Sequence, residues 1–308
     1  MKKLFILLTI TLLFCPKSFA GEENIALLTK KGFFEAPKQQ SNLVSPRDEV
    51  RRSLFMHLKY ANTYNYEGLK SLYADNYSNA DGLGKSTYFD LIKKTWESYP
   101  DIKYRITIQN IEVDGNRAIA QVGESAYAST NSKSGVIDDR GCLQSISTSV
   151  YHFEKINNEW LIISDYIVSE KTFLRYGSAK DINVDLDAPF QMPADTQYSA
   201  TLKIQVPKDN LIIASVGKEN ITFPQTIAEE VFRKLPEDGM LERVFKSNDK
   251  NINEYAVASY GITKAEIKNG TEIKIYVTGL GFIMSRVNVI PKNEYVKVAK
   301  NENDKKAE

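Results

Sequence analysis

The residue pattern predicts an α+β fold, with three helices laid on a curved antiparallel sheet and a mainly-β, sandwich-like part after them. Three observations predict it. Apolar residues recur at helical spacing between residues 46 and 99. From Ile102 they alternate with polar residues, and beyond residue 198 short apolar runs are separated by turn signals.

The chain opens with Lys2 and Lys3, continues through an apolar run from Leu4 to Phe14, and reaches Ser18-Phe19-Ala20. Basic, apolar and small-residue segments in that order predict a secretory signal peptide over residues 1–20, cut after Ala20, and hence a periplasmic or secreted protein. The apolar run is shorter than the roughly 20 residues needed to cross a bilayer, so no membrane span is expected. Lipid attachment at Cys15 is the alternative, and bulky Phe14 stands where that cleavage wants a small residue. Without the leader, Cys142 is the one cysteine left, so the fold must be held by its core without an internal disulfide.

The sequence carries 40 Lys and Arg against 39 Asp and Glu, and loss of Lys2, Lys3 and Lys17 leaves acids two in excess. That balance gives no electrostatic reason to expect nucleic acid as a partner.

Residues 21–44 read as a leader segment. Ser45-Pro46-Arg47-Asp48 starts a helix: the serine caps, proline suits the first turn, and the aspartate reaches back. Val50, Leu54, Leu58 and Ala61 form its apolar face. A second helix is expected over residues 66–74 and a third over residues 86–99, stopped by Pro100. Strands follow from Ile102, with turns at Asp114-Gly115 and Asn157-Asn158, over Arg117 to Ala128, Cys142 to Lys155 and Trp160 to Ser169. Residues 177–197, with Pro189 and Pro193, read as a linker. Residues 198–291 read as a sandwich-like domain of five strands, 201–206, 211–216, 255–260, 271–278 and 282–290, with one helix capped by Thr226. Gly279-Leu280-Gly281 reads as a turn, and residues 292–308 as a charged, disordered tail.

The segment Tyr60-Ala61-Asn62-Thr63-Tyr64-Asn65-Tyr66-Glu67-Gly68-Leu69-Lys70-Ser71-Leu72-Tyr73-Ala74-Asp75-Asn76-Tyr77 resembles the helix-turn-helix of the nuclear transport factor 2-like superfamily. Tyr151-His152-Phe153-Glu154-Lys155 through Trp160-Leu161-Ile162-Ile163-Ser164-Asp165 is similar to its later signature. The resemblance covers residues 45–176 and implies a cone-shaped sheet around an apolar cavity closed by the helices. It places His57 and Tyr151 where ketosteroid isomerases of that superfamily carry oxyanion donors, and Asp81 where they carry the general base. Such a set could take a proton beside a carbonyl and stabilise the enolate. His57 and Tyr151 depart from the isomerase residues, which weakens the implied activity.

If Tyr151 points inward, alternation puts Ser145, Ser147 and Ser149 on the same face. Trp160, Ile162, Ser164 and Tyr166 share a face of the next strand. Ser147, Ser149, Tyr104, Trp160, Ser164 and Tyr166 are therefore the expected pocket lining, suited to a small apolar or amphipathic ligand. No phosphate loop, nucleophile elbow or zinc motif occurs, and with His57 and His152 the only histidines no metal or cofactor is expected. Asp138-Asp139 and Asp185-Asp187 lack the spacing of a calcium loop and read as solvated acids. The expected function is an exported binding or scaffold protein without catalysis. The alternatives are an isomerase, dehydratase or cyclase using Asp81, and a dimeric interaction module with a solid core. A homodimer or an envelope protein is the expected macromolecular partner.

Overall fold

The computed structural model describes residues 45–206, 210–224, 230–268 and 272–292, so the expected signal peptide, leader segment and most of the tail lie outside the described residues. Three helices come first, α1 (Pro46–Asn62), α2 (Tyr66–Ser71) and α3 (Lys85–Ser98). A meander of long strands follows: β1 (Lys103–Asp114), β2 (Arg117–Lys133), β3 (Arg140–Ile156) and β4 (Glu159–Gly177). Then come β5 (Val184–Asp187), β6 (Gln191–Pro193), β7 (Gln197–Ile204), β8 (Asn210–Asn220), β9 (Arg233–Lys234), β10 (Met240–Lys246), β11 (Glu254–Lys268) and β12 (Glu272–Ile290).

Local chemistry explains the helix starts. Ser45 Oγ accepts from the Asp48 amide at 3.2 Å and donates to the Asp48 carboxylate at 2.6 Å, closing the first turn of α1 around Pro46. Asn65 Oδ1 accepts from the Gly68 amide at 2.9 Å and caps α2. That helix stops at Ser71, three residues short of the expected end, because the chain then turns to hydrogen-bond with β4: Leu72 O accepts from Ile162 N, and Ala74 N donates to Ile162 O, both at 2.9 Å. Asn157 and Asn158 both take positive φ, which Asn tolerates, and so make the tight turn between β3 and β4.

The strands do not fall into two separate sheets by domain. One nine-stranded sheet runs β1-β2-β3-β4-β12-β11-β8-β9, with β6 pairing beside β12, and a three-stranded sheet runs β10-β7-β5. The seam is β4, whose residues 171–177 pair with residues 279–285 of β12. One core lies under the helices, formed by Val50, Leu54, Phe89, Val122, Phe153 and Ile162 among others. A second lies between the two sheets, formed by Leu186, Leu202, Ile212, Ala258, Ile262 and Val287 among others.

Several expectations are corrected. Residues 177–197 are not a linker with little to bury: Ala179, Ile182, Val184 and Leu186 enter the second core, and β5 pairs with β7. Gly279-Leu280-Gly281 is not a turn but the middle of β12, so the expected strands 271–278 and 282–290 are one. Glycine is needed there because a Cβ at Gly281 would lie 2.0 Å from the Tyr260 ring, and one at Gly279 would lie 2.6 Å from Ala179 N. The start of the expected helix, at Thr226, lies outside the described residues, and Arg233–Lys234 pairs as strand with β8.

The most consequential correction concerns β4. Its register against β3 shifts twice, between His152 and Phe153 and between Thr148 and Ser149. Each shift inserts one extra residue, Ile163 and then Val168, and each reverses which face the following residues occupy. Ser164 and Tyr166 therefore leave the face of Trp160 and Ile162, and Tyr166 is exposed, so neither lines the interior. Asp165 and Ile167 take their place, and after the second bulge Glu170 and Thr172 join them in burial.

Candidate functional site

The interior under the helices is built from three strands, two helices and the segment that follows α2. On β2 the even-numbered residues Ala118, Ala120 and Val122 are buried, and Glu124 continues that row. Opposite it on β3 stand Ser147, Ser149 and Tyr151, all buried as the alternation requires. Asp165 arrives from β4 through its first bulge. Above them, α1 supplies His57, while Tyr73 and Tyr77 come from the chain after α2 and Tyr88 from α3.

Three hydrogen-bonded groups result. Glu124 accepts from Ser149 Oγ and from Tyr151 Oη, each at 2.5 Å, through its two different oxygens. His57 Nε2 lies 2.8 Å from Tyr73 Oη. The His57 ring also lies 5.8 Å from the Tyr73 ring and 6.0 Å from that of Tyr151. Behind them Tyr73 meets Tyr77 edge-on at 4.9 Å and Phe89 at 5.1 Å, an arrangement that aromatic quadrupoles favour. Tyr77 donates to the Asp165 carboxyl.

Electrostatics follow from withdrawal from water. Burial pushes the His57 imidazole down to about 4, so it is neutral at ordinary pH. Burial pushes Asp165 up to about 7, opposed by the Tyr77 hydrogen bond and helped by the negative charge of Glu124 and Asp81. Glu170 also rises to about 7, again from burial, opposed by Arg286 and by hydrogen bonds from Tyr255 and Thr172.

Of the three expected catalytic residues, the fold brings His57 and Tyr151 together and leaves Asp81 elsewhere. Asp81 Oδ1 and Oδ2 face Arg286 Nη2 and Nη1 at 2.6 and 3.1 Å, and Oδ1 also accepts from Asn253 Nδ2 at 2.8 Å. Its side chain is only 3% accessible, and both oxygens are engaged by the C-terminal strands, so it is not poised to abstract a proton beside His57 and Tyr151. Of the expected lining, Ser147 and Ser149 are buried beside Tyr151. Trp160 belongs to the core, with Nε1 donating to Glu49 at 2.8 Å. Tyr104 packs with Trp96, whose Nε1 donates to its hydroxyl at 3.1 Å.

Glu124, Tyr73, Asp165, Glu170 and Arg286 escaped the sequence reading. Glu124 had a visible signal, an acid in the apolar row Ala118, Ala120, Val122. Asp165 had none, because simple alternation assigns it to the outer face. The four acids considered for calcium each pair with a lysine: Asp138 with Lys133, Asp139 with Lys180, Asp185 with Lys171 and Asp187 with Lys203.

An antiparallel sheet covered by three helices, with imidazole, hydroxyl and carboxyl groups in its interior, defines the class: an α+β layer protein whose β-rich remainder extends the same sheet. No family model and no curated protein matches the chain. Among solved structures, neighbours of its N-terminal part are nuclear transport factor 2-like proteins. A proposed dehydratase of that family from Streptomyces avermitilis is 14% identical, with 39% of this chain and 93% of that one covered and a TM-score of 0.32. A proposed scytalone dehydratase from Novosphingobium aromaticivorans is 12% identical, with 39% and 80% covered and a TM-score of 0.34. A protein of Bdellovibrio bacteriovorus is 9% identical with a TM-score of 0.32, and the match spans 39% of this chain and 39% of that one.

Proposed function

We propose that the protein is an exported binding or scaffold protein without catalysis, read as two units, residues 45–176 and 198–291, that share one sheet. The N-terminal unit takes a small amphipathic ligand at the His57, Tyr151 and Glu124 group, and the C-terminal unit serves contact with an envelope protein. One observation carries the reading. Glu124, partly accessible, gathers the buried Ser149 and Tyr151 hydroxyls beside the His57 imidazole, and the expected base, Asp81, is held by Arg286. A few convergent polar groups inside a largely apolar interior are what orient a bound molecule. The test is native mass spectrometry of the protein recovered from its host. A bound small molecule is expected, with lower occupancy in Glu124→Gln. An empty protein that no amphipathic compound stabilises against heat would end this reading.

A second reading rests on a different face. Ile119, Tyr127, Ile146 and Tyr166 are exposed on the outer side of β2, β3 and β4, with half-buried His152 and buried Val150 between them. An apolar sheet face of this kind suits pairing with a second copy. Light scattering after size exclusion tests it: Ile146→Glu should convert a dimer to a monomer, and a monomeric wild type at high concentration would refute it.

A further inference from the structure

The sheet forks beside the N-terminal core. The β4–β12 ladder ends at Lys171 and Ser285. Beyond that point β12 turns to pair with β6, and the facing edge of β4 is taken by the segment between α2 and α3. Ser78 N donates to Ile163 O at 3.3 Å and Ala80 N to Asp165 O at 3.0 Å, while Asn288 Nδ2 reaches across to Val168 O at 2.8 Å. The segment ends by inserting Asp81 between Arg286 and Asn253.

Inside the fork lies an unbalanced set of charges. Asp81, Asp165 and Glu170 are all buried, and the one guanidinium among them, Arg286, is 1% accessible and already paired bidentately with Asp81. The other groups facing Asp165 are the hydroxyls of Tyr77, Tyr73 and Tyr151 and the Glu124 carboxyl of β2. Those facing Glu170 are Tyr255 of β11, which donates at 2.7 Å, and Thr172. With every carboxyl ionised, Arg286 would balance only one of the three. Burying uncompensated charge is costly enough that such groups keep their protons or the site opens.

We propose that the fork is a proton-operated latch: with Asp165 and Glu170 protonated, residues 78–84 stay seated between β4 and β12, and loss of those protons releases them. The inference does not depend on the binding reading. Burial raises both carboxyls to about 7, so the change falls near neutral pH. The seated state binds more protons than the open one, in which both groups return to water and ordinary values near 4. Raising the pH therefore favours opening.

Residue-resolved amide hydrogen exchange on the whole mature chain tests this, with rates corrected for the intrinsic effect of pH. From pH 6 to pH 8.5 the opening constants of the Ser78 and Ala80 amides should rise about tenfold for each carboxyl that titrates. They should also exceed the opening constant of Leu202, buried between the two sheets. Asp165→Asn and Glu170→Gln, made singly so that each is more apt to fold, should each remove about tenfold of the rise. The latch is overturned if the wild-type opening constants do not change with pH, if both single variants keep the full rise, or if Ala80 opens only as often as Leu202.

Discussion

Asp81 and Arg286 form a bidentate ion pair across 205 residues of sequence, at 2.6 and 3.1 Å, with both side chains almost wholly withdrawn from water. The pair fastens the segment between α2 and α3 to the last strand of the sheet. The carboxylate expected to do chemistry instead joins the two halves of the chain.

Asp81→Asn keeps the shape and the Asn253 contact but breaks the bidentate pair, so that Arg286 keeps a counter-charge only if Asp165 or Glu170 gives up its proton. Removing one partner of a buried pair costs about 3–5 kcal/mol. Urea unfolding should show a loss of that order, and Arg286→Met in the same chain should restore part of it. A single variant within about 1 kcal/mol of wild type would show that a neighbouring carboxylate or entering water takes over the guanidinium.

Stability should fall as pH rises from about 5 to 8. Folded Asp165 and Glu170 hold protons up to about pH 7, whereas in the unfolded chain they release them near 4, so across that window the folded state binds more protons. His57 acts in the opposite sense. Its folded value of about 4 lies below the unfolded 6.5, so it contributes stability above pH 6.5 that is lost as pH falls toward 4. Two carboxyls outweigh one imidazole, and thermal unfolding should give a higher Tm at pH 5.5 than at pH 8. Asp165→Asn with Glu170→Gln should flatten or reverse that slope, and a wild-type Tm that climbs over the same range would contradict the assignment.

Gly281→Ala should be among the most damaging small substitutions in the C-terminal half. Its Cβ would stand 2.0 Å from the Tyr260 ring, which is itself buried in the second core, so the ring must leave its place. Overpacking of this kind costs roughly 1–3 kcal/mol or more. Gly261→Ala on the neighbouring strand meets nothing nearer than Ile213 Cγ1 at 3.4 Å and should cost less. Equal midpoints for the two variants in denaturant would show that the Tyr260 contact does not restrict the backbone.

Limited proteolysis should spare residues 182–187. Val184 and Leu186 are buried, and β5 is hydrogen-bonded to β7, so a protease cannot draw this stretch into its cleft without opening the second core. Early cleavage inside β5 would restore the reading of this region as a loose connection. Leu186→Ala should also destabilise by about 2–5 kcal/mol, as expected for a large-to-small change at a closely packed site.

Features decided within a few residues were legible in the sequence. The Ser45 cap, the Asn157-Asn158 turn and the change from helical to alternating period near Ile102 rest on local geometry, and the structure has them; the burial of Ser147 and Ser149 follows by alternation once the family resemblance turns Tyr151 inward. Three other features required the tertiary fold. The bulges at Ile163 and Val168 carry no local mark, yet each shifts the alternation by one residue, so Asp165 went in and Ser164 and Tyr166 came out. Residues 177–197 looked like a linker because short strands are recognisable only beside the partners they pair with. The role of Asp81 depended on Arg286, which arrives through the pairing of β12 with β4, and no spacing within one stretch of chain encodes a contact between residues so far apart.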